Sequence, residues 1–388
     1  MIYDNNYLFE RIKNISKDAS DLDSFFKKVS SGEEDSKILA KSVSEIRLII
    51  GEAMKNDNIS FVMANGCSIY AGSKSTKATT TEQISDKYDD IKEDLNLALK
   101  NDIETQLDSL NTLRDYYKIT SNEKKIRLIE SFICDKKKEL LDNFVFGVNY
   151  SKLIYHNVMM LKLRAYGVLT KTTFYTPNYD LAIEYVLDDL RVEYNDGFSG
   201  FVNRVFNPSS FNSQRPNVVK IHGSLNWRID KAGQITEIQP SFKDGKIQQL
   251  VTEDSIIYPT SEKLFKTYNA PYSELLRNML NNLQGKRNAV FVLGYKYGDV
   301  HLNDVLLRSL SNPTNVFFFF DYDEDGDNTF LNKIKELEKN VSNIHIITGK
   351  YLANFSTFVD YLLPATAEKN DQEKIIELLQ KVIPHGNN

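Results

Sequence analysis

Cysteine is scarce in this chain: its 388 residues hold only Cys67 and Cys134, too few for a disulfide framework or a four-cysteine zinc site. Long apolar runs are also missing, and no stretch reaches the length of a membrane span. The N-terminus, Met1-Ile2-Tyr3-Asp4-Asn5-Asn6, has no basic stretch leading into an apolar core, so no signal peptide and a cytoplasmic location are expected. Basic charge is not in excess either. With 48 Lys and Arg against 53 Asp and Glu the net charge is -5, which gives no general attraction to nucleic acid or to an anionic membrane. What remains is an ordinary globular composition, 41% hydrophobic and 26% charged, in a length that suits one enlarged domain or two.

Three apolar segments stop on small or polar residues. Ser60 to Ala64 runs into Asn65-Gly66-Cys67-Ser68. Lys171 to Thr176 ends on Pro177-Asn178-Tyr179-Asp180 and hands over to a helical pattern through about Leu190. Asn217 to Ile221 ends on His222-Gly223-Ser224, and His222 is one of only five histidines. Strands that end this way before a helix present their polar side chains at the carboxyl edge of an α/β sheet, where ligands bind. Asn178 and Asp180 also suit helix capping, and His222 suits a hydrogen-bonded core position beside Trp227. Their convergence at one sheet edge favours a functional reading.

Further along, Asn288 to Gly294, Asn315 to Asp321 and Ile344 to Ile347 read as strands. Pro271 to Leu283 and a segment from about Leu302 read as helices, and Arg191 to Tyr194 as a short strand. Strands alternating with helices predict an α/β protein with a Rossmann-like, doubly wound parallel sheet. Residues 81–166 differ: they hold no proline, no glycine before Gly147, and leucines at helical spacing. They predict a helical insertion between residues 1–80 and 167–388. Within it Cys134 reads as a small buried residue and Lys136-Lys137-Lys138-Glu139 as a solvated face. Residues 1–57 read as a helical layer, Ile256 to Pro259 as a brief apolar segment, Asn195 to Arg215 as a loop over the site, and the end of the chain from Glu368 as an exposed helix. The acidic run Asp321 to Asp327 begins like a calcium loop, but Asn332 stands at the twelfth place where a bidentate glutamate is required. No metal site is expected.

Gly66-Cys67-Ser68, Thr176-Pro177-Asn178-Tyr179-Asp180, Lys220-Ile221-His222-Gly223-Ser224-Leu225-Asn226-Trp227 and Leu293-Gly294-Tyr295-Lys296-Tyr297-Gly298-Asp299 occur in that order. Together they resemble the sirtuin-like NAD-hydrolysing domains of bacterial anti-phage defence systems, including the HerA-associated and Thoeris-type proteins. The resemblance spans about residues 60 to 350, apart from the insertion. One departure stands out, Ala64 where the family usually has glycine.

The resemblance implies NAD as substrate and Asn178, Asp180 and His222 as catalytic residues. Asn178 would hold the nicotinamide ribose and a water, Asp180 would orient the site, and His222 would be the base. Gly66, Cys67, Ser68, Thr176, Gly223, Ser224, Gly294, Tyr295 and Asp299 would surround the nucleotide, with its phosphates at Gly66 to Ser68 and its adenosine near Gly294 and Tyr295. Cys67 becomes a spacer rather than a reactive thiol. A homo-oligomer, and a HerA-type helicase ATPase as partner, are implied as well. A sensor that binds NAD or ADP-ribose without cleaving it is the competing expectation, since such a core guarantees neither activity. Protein deacylation or ADP-ribosyl transfer is disfavoured, because the paired zinc cysteines of deacetylating sirtuins are missing.

Overall fold

The computed structural model describes residues 34–74, 84–99, 103–144, 147–211, 214–231, 234–248, 271–285, 287–322, 328–350 and 352–365. The helical reading of residues 1–33, the segment Ile256 to Pro259, most of the acidic run and the helix from Glu368 lie outside these. Six parallel strands form the main sheet: β1 (Asn58–Met63), β2 (Thr172–Thr176), β5 (Asn217–Lys220), β10 (Asn288–Leu293), β11 (Val316–Asp321) and β12 (Ile344–Thr348), in the order β12-β11-β10-β1-β2-β5. From β1 the chain winds outward to β5, then returns to the other side of β1 for β10 and winds outward again. This is the doubly wound Rossmann order, and its switch point lies between β1 and β10.

Alternation along each strand divides the core into two layers. Phe61, Phe174, Phe291 and Phe318 line one face, ring beside ring, with centroids 5.7 Å (Phe61 to Phe174), 4.9 Å (Phe61 to Phe291) and 4.7 Å (Phe291 to Phe318) apart. This row runs across β2, β1, β10 and β11 because the strands are in parallel register. Each such pair adds about 1 kcal/mol to the burial itself. Helix α1 (Glu34–Ala53) covers this face with Ile46 and Ile50. Val62, Tyr175, Val219, Val292 and Phe319 face the opposite way.

Between β1 and β2 lie α2 (Lys92–Ala98), α3 (Ile103–Ile119), α4 (Glu123–Phe144) and α5 (Ile154–Ala165). The first three share a core of their own, with Leu95, Leu107, Leu110, Tyr117, Ile129 and Phe132, whereas α5 buries Met159, Met160 and Leu163 against the main sheet. Cys134 is exposed, contrary to expectation, because Phe132 and Ile133 take the inward positions of that turn of α4. Lys136 is buried instead of solvated; its ammonium is 2.8 Å from Glu139. Helix α6 (Ala182–Asp189) follows β2 and packs Ile183 and Val186 beside α5. Helices α7 (Tyr272–Gly285), α8 (Val300–Ser309) and α9 (Thr329–Glu338) cover the other face.

The segment Arg191 to Tyr194 is not a strand. Arg191 takes a left-handed conformation at φ 54 and the chain turns, leaving only a single bridge from Asn195 to Asn217. The expected loop after it contains part of a small antiparallel sheet, β3 (Phe198–Ser199), β4 (Val205–Phe206), β7 (Ile235–Glu237) and β6 (Trp227–Ile229) in the order β3-β4-β7-β6, beside a hairpin of β8 (Phe242–Lys243) and β9 (Lys246–Ile247). Strands of two or three residues are too short to show alternation. Arg204 fastens this sheet: one guanidinium nitrogen lies 2.8 Å from both Asp196 carboxylate oxygens, and another contacts Glu237.

At the switch point two glycines touch. A Cβ on Gly66 would lie 2.6 Å from the Gly294 Cα, and one on Gly294, where φ is +62, would lie 2.5 Å from the Cys67 nitrogen. Gly294→Ala is therefore expected to cost on the order of 3 kcal/mol, combining a left-handed backbone with overpacking. Gly167→Ala, at φ +81 with nothing within 4 Å of its Cβ, should cost about 1 kcal/mol. Urea unfolding of both variants checks this, and equal midpoints would remove the contact as the cause.

Burial, and after it Asp196, pushes the Glu237 carboxyl from 4.5 up to about 7 against the pull of Arg204. A carboxyl raised on folding contributes stability below its unfolded value of 4.5 and loses it as pH rises through about 7. Relative to Glu237→Gln, the wild type should thus lose on the order of 2 kcal/mol across that window. Urea midpoints of the two proteins over the same pH series measure it, and a flat difference would contradict it.

Candidate functional site

The carboxyl ends of β10, β1, β2 and β5 stand side by side, which puts the four sequence motifs along one edge. After β1 the chain makes two short 3-10 turns, Asn65–Cys67 and Ile69–Ala71. The N–H groups of Gly66, Cys67 and Ser68 donate to the Gly294, Ala64 and Asn65 carbonyls at 2.9 Å each. Here the turn offers close backbone but not the open donors of an α-helix start. Asn65 closes the loop, donating to the Lys74 carbonyl at 2.8 Å. Cys67 is fully buried, and burial, then Asp180, raises its thiol pKa well above the usual range, which suits packing rather than nucleophilic attack.

Strand β2 ends at Thr176. The Asn178 N–H donates to Thr176 Oγ1 at 3.0 Å, a local turn that fixes the backbone while the Asn178 side chain, half-buried, makes no hydrogen bond among the described residues. Asp180 does act as a cap, and does more. Its Oδ1 accepts from the Ala182 N–H at 3.0 Å and its Oδ2 from Ser68 Oγ at 3.3 Å, so it ties the first turn of α6 to the loop after β1. Tyr179 packs against both the main core and the helical core of α2, α3 and α4.

After β5, Gly223 turns the chain at φ +88, a conformation that favours glycine. His222 and Ser224 are buried just before and after it. The His222 Nε2 lies 3.1 Å from Asp299 Oδ2. These two residues come from the loops after β5 and β10, on either side of β1 and β2, and so they meet over those two strand ends. Asp299 is itself anchored: its Oδ1 accepts from the His301 and Leu302 N–H groups at 3.1 and 3.2 Å, capping α8. The Tyr295 hydroxyl accepts from the Asp299 N–H at 2.9 Å and lies 3.0 Å from both the Asp299 carbonyl and Asn303 Oδ1, to one of which it donates, and so it pins the loop.

Two further residues serve the site: Lys220, which stands in the third motif but was given no role there, and Glu184. Lys220 is buried at the end of β5, with its ammonium on the Asp180 carbonyl and 3.4 Å from Glu184 Oε1. Burial raises the Glu184 pKa while Lys220 opposes that rise. The available signal was a lysine inside an otherwise apolar buried strand, which stays there only if paired.

Residues 172–347 match the family of the SIR2-like domain. The matched segment runs from β2 to β12 and holds Asn178, Asp180, His222 and Asp299, while β1 and the Gly66 turn precede it and supply the strand between β2 and β10. The chain is also similar to a solved Sir2 mutant with a p53 peptide and NAD, at 9% identity and TM-score 0.37 over 81% of this chain and 95% of that one. A second structure, on the structural basis of sirtuin substrate affinity, gives 9% identity and TM-score 0.37 over 80% and 96%. No curated protein matches this chain. Among the described residues no helix is long and apolar enough to cross a membrane, and no group of three or more His, Cys, Asp or Glu is placed to hold a metal ion.

If Asp299 both caps α8 and faces His222, its two roles separate by substitution. Asp299→Asn keeps an acceptor for the cap and should stay near wild-type stability, whereas Asp299→Ala should lose about 1 kcal/mol. Urea unfolding reads this, and equal loss in both would deny the cap its part.

Proposed function

We propose that this chain is an NAD glycohydrolase, cleaving NAD to nicotinamide and ADP-ribose. The observation that carries it is the pairing of His222 with a buried, anchored carboxylate above the strand ends that also carry Asn178 and Asp180. Binding alone needs no oriented base. The match of residues 172–347 to the SIR2-like domain supports the same substrate.

The reaction breaks the bond between ribose C1′ and the nicotinamide nitrogen, whose electron pair leaves with a ring that becomes neutral. A water oxygen bonds to C1′, and its proton passes to His222 before release to solvent. The Asp299 carboxylate holds the imidazole and stabilises its protonated form. Asn178 can donate to a ribose hydroxyl through its NH₂ and accept from the water through its carbonyl. Asp180, fastened to Ser68 and Ala182 and with its carbonyl on Lys220, positions Asn178. A role in anti-phage defence by NAD depletion, with assembly into an oligomer or with a HerA-type ATPase, accords with the motif resemblance.

The test is nicotinamide release from NAD by the purified chain, alone and with the products of neighbouring genes. His222→Ala and Asp299→Asn should each lower turnover by about 10²-fold or more while the fold is kept. Asn178→Asp, equal in shape but without the donor, should lose cleavage as well. Active wild-type levels in a folded His222→Ala variant would remove the base. Wild-type assemblies that bind NAD and release no nicotinamide would promote the sensor reading.

A further inference from the structure

Helix α5 is apolar on both sides. His156, Met159, Met160 and Leu163 make its buried side. At about 100° of turn per residue, the face directly opposite carries Ile154, Val158, Leu161 and Ala165, spaced alternately four and three residues apart. Ile154 is 62% and Leu161 44% exposed, Ala165 is exposed and Val158 half-buried. The outward side of a helix is ordinarily polar, and this spacing is that of a seam between two helices. We propose that the stripe is the docking site of the chain's own C-terminal segment, residues 366–388, packed antiparallel to α5.

The place where the described chain ends selects this occupant. The π-helix Phe358–Leu362 lies against α5, and the Lys162 ammonium donates to the carbonyls of Val359, Asp360 and Leu363 at 2.5, 3.1 and 3.0 Å. Lys162 stands in the last turn of α5, so the chain departs after Ala365 from beside the end of that helix that leads into β2. A segment tethered there meets α5 at high effective concentration, because its linker is only a few residues long. A second copy of the chain has no such tether.

Pattern and charge fit the same occupant. Ile375, Ile376, Leu379, Val382 and Ile383 recur at the spacing of one helix face, and Pro384 follows where such a helix would stop. A register that sets Ile375 and Ile376 opposite Leu161 also sets Leu379 opposite Val158, and Val382 and Ile383 opposite Ile154, since both helices have the same rise per residue. The last turn of α5 carries Lys162 and Arg164, and the helix holds no acidic residue. Arg47 adds to this positive end and Asp360 offsets part of it. The segment begins with Glu368, Asp371 and Glu373 against Lys369 alone, and the antiparallel arrangement brings this acidic start to the basic end of α5.

The helix expected at the end of the chain is then covered along its apolar side rather than exposed. Its far end reaches Ile154, close to His156, whose Nδ1 lies 2.8 Å from the Tyr70 hydroxyl in the loop after β1. The inference is independent of NAD cleavage.

Cysteine crosslinking in the full chain tests it, in a Cys134→Ser background because Cys134 is exposed and Cys67 buried. With a short bismaleimide, Leu161→Cys combined with Ile375→Cys should link within one chain and stay at monomer mass on a denaturing gel. Ile119→Cys, at the end of α3 and 83% exposed, combined with Ile375→Cys should not link. Leu161→Asp changes only the outward face and so should keep the fold, while hydrogen exchange of residues 371–383 should quicken by about tenfold or more. Linking between chains would give the stripe to a second copy, and quickened exchange in residues 8–29 instead would give it to the N-terminal segment. Either result overturns the proposal, as do equal linking from positions 161 and 119 and wild-type residues 371–383 that exchange like an unfolded peptide.

Discussion

Two backbones meet where the winding of the sheet reverses, and the rest of the site is arranged around that contact. Gly66 and Gly294 lie so close that neither has room for a Cβ, and Gly66 donates to the Gly294 carbonyl at 2.9 Å. The loops after β1 and β10 are thereby held together at the switch point, leaving the carboxyl edge of β1, β2 and β5 beside them for a ligand. These glycines have a structural reason to be there, independent of any phosphate.

Above that contact the site is braced by polar groups that could not be buried singly. Ser68 holds Asp180, Asp180 caps α6 and takes Lys220 on its carbonyl, Lys220 pairs with Glu184, and His222 faces Asp299. A buried charge left alone would cost several kcal/mol, so each member needs another in place. Such a network adds little net stability, but it defines the positions of the side chains that chemistry would use.

The additions to the sheet bear on the site from two sides. The core of α2, α3 and α4 reaches it through Tyr179, the residue between Asn178 and Asp180. The chain entering the small antiparallel sheet reaches it at Leu225, whose N–H donates to the Tyr179 carbonyl at 3.1 Å. Both additions therefore adjoin the short loop that carries the candidate catalytic residues.

Much of the fold was legible in the residues themselves. Runs such as Phe61 to Ala64 and Val316 to Asp321 are continuous and apolar because strands buried on both faces have no polar side, and their alternation with helical patterns implies a parallel doubly wound sheet. The absence of proline and glycine from residues 81–146 likewise implied helices. The short strands of the small sheet were hidden, since two or three residues carry no period, and Cys134 and Lys136 exchanged their expected exposures because helix rotation is decided by the partner surface. Pairings were out of reach altogether. Nothing local tells His222 that Asp299 lies 3.1 Å away, or gives Lys220 its place on Asp180; those contacts exist because strand order brings distant loops over the same edge. Chain-local patterns determined which elements form and which residues end them, whereas only the tertiary structure decided which ends meet, because burial and charge pairing act between segments far apart in sequence.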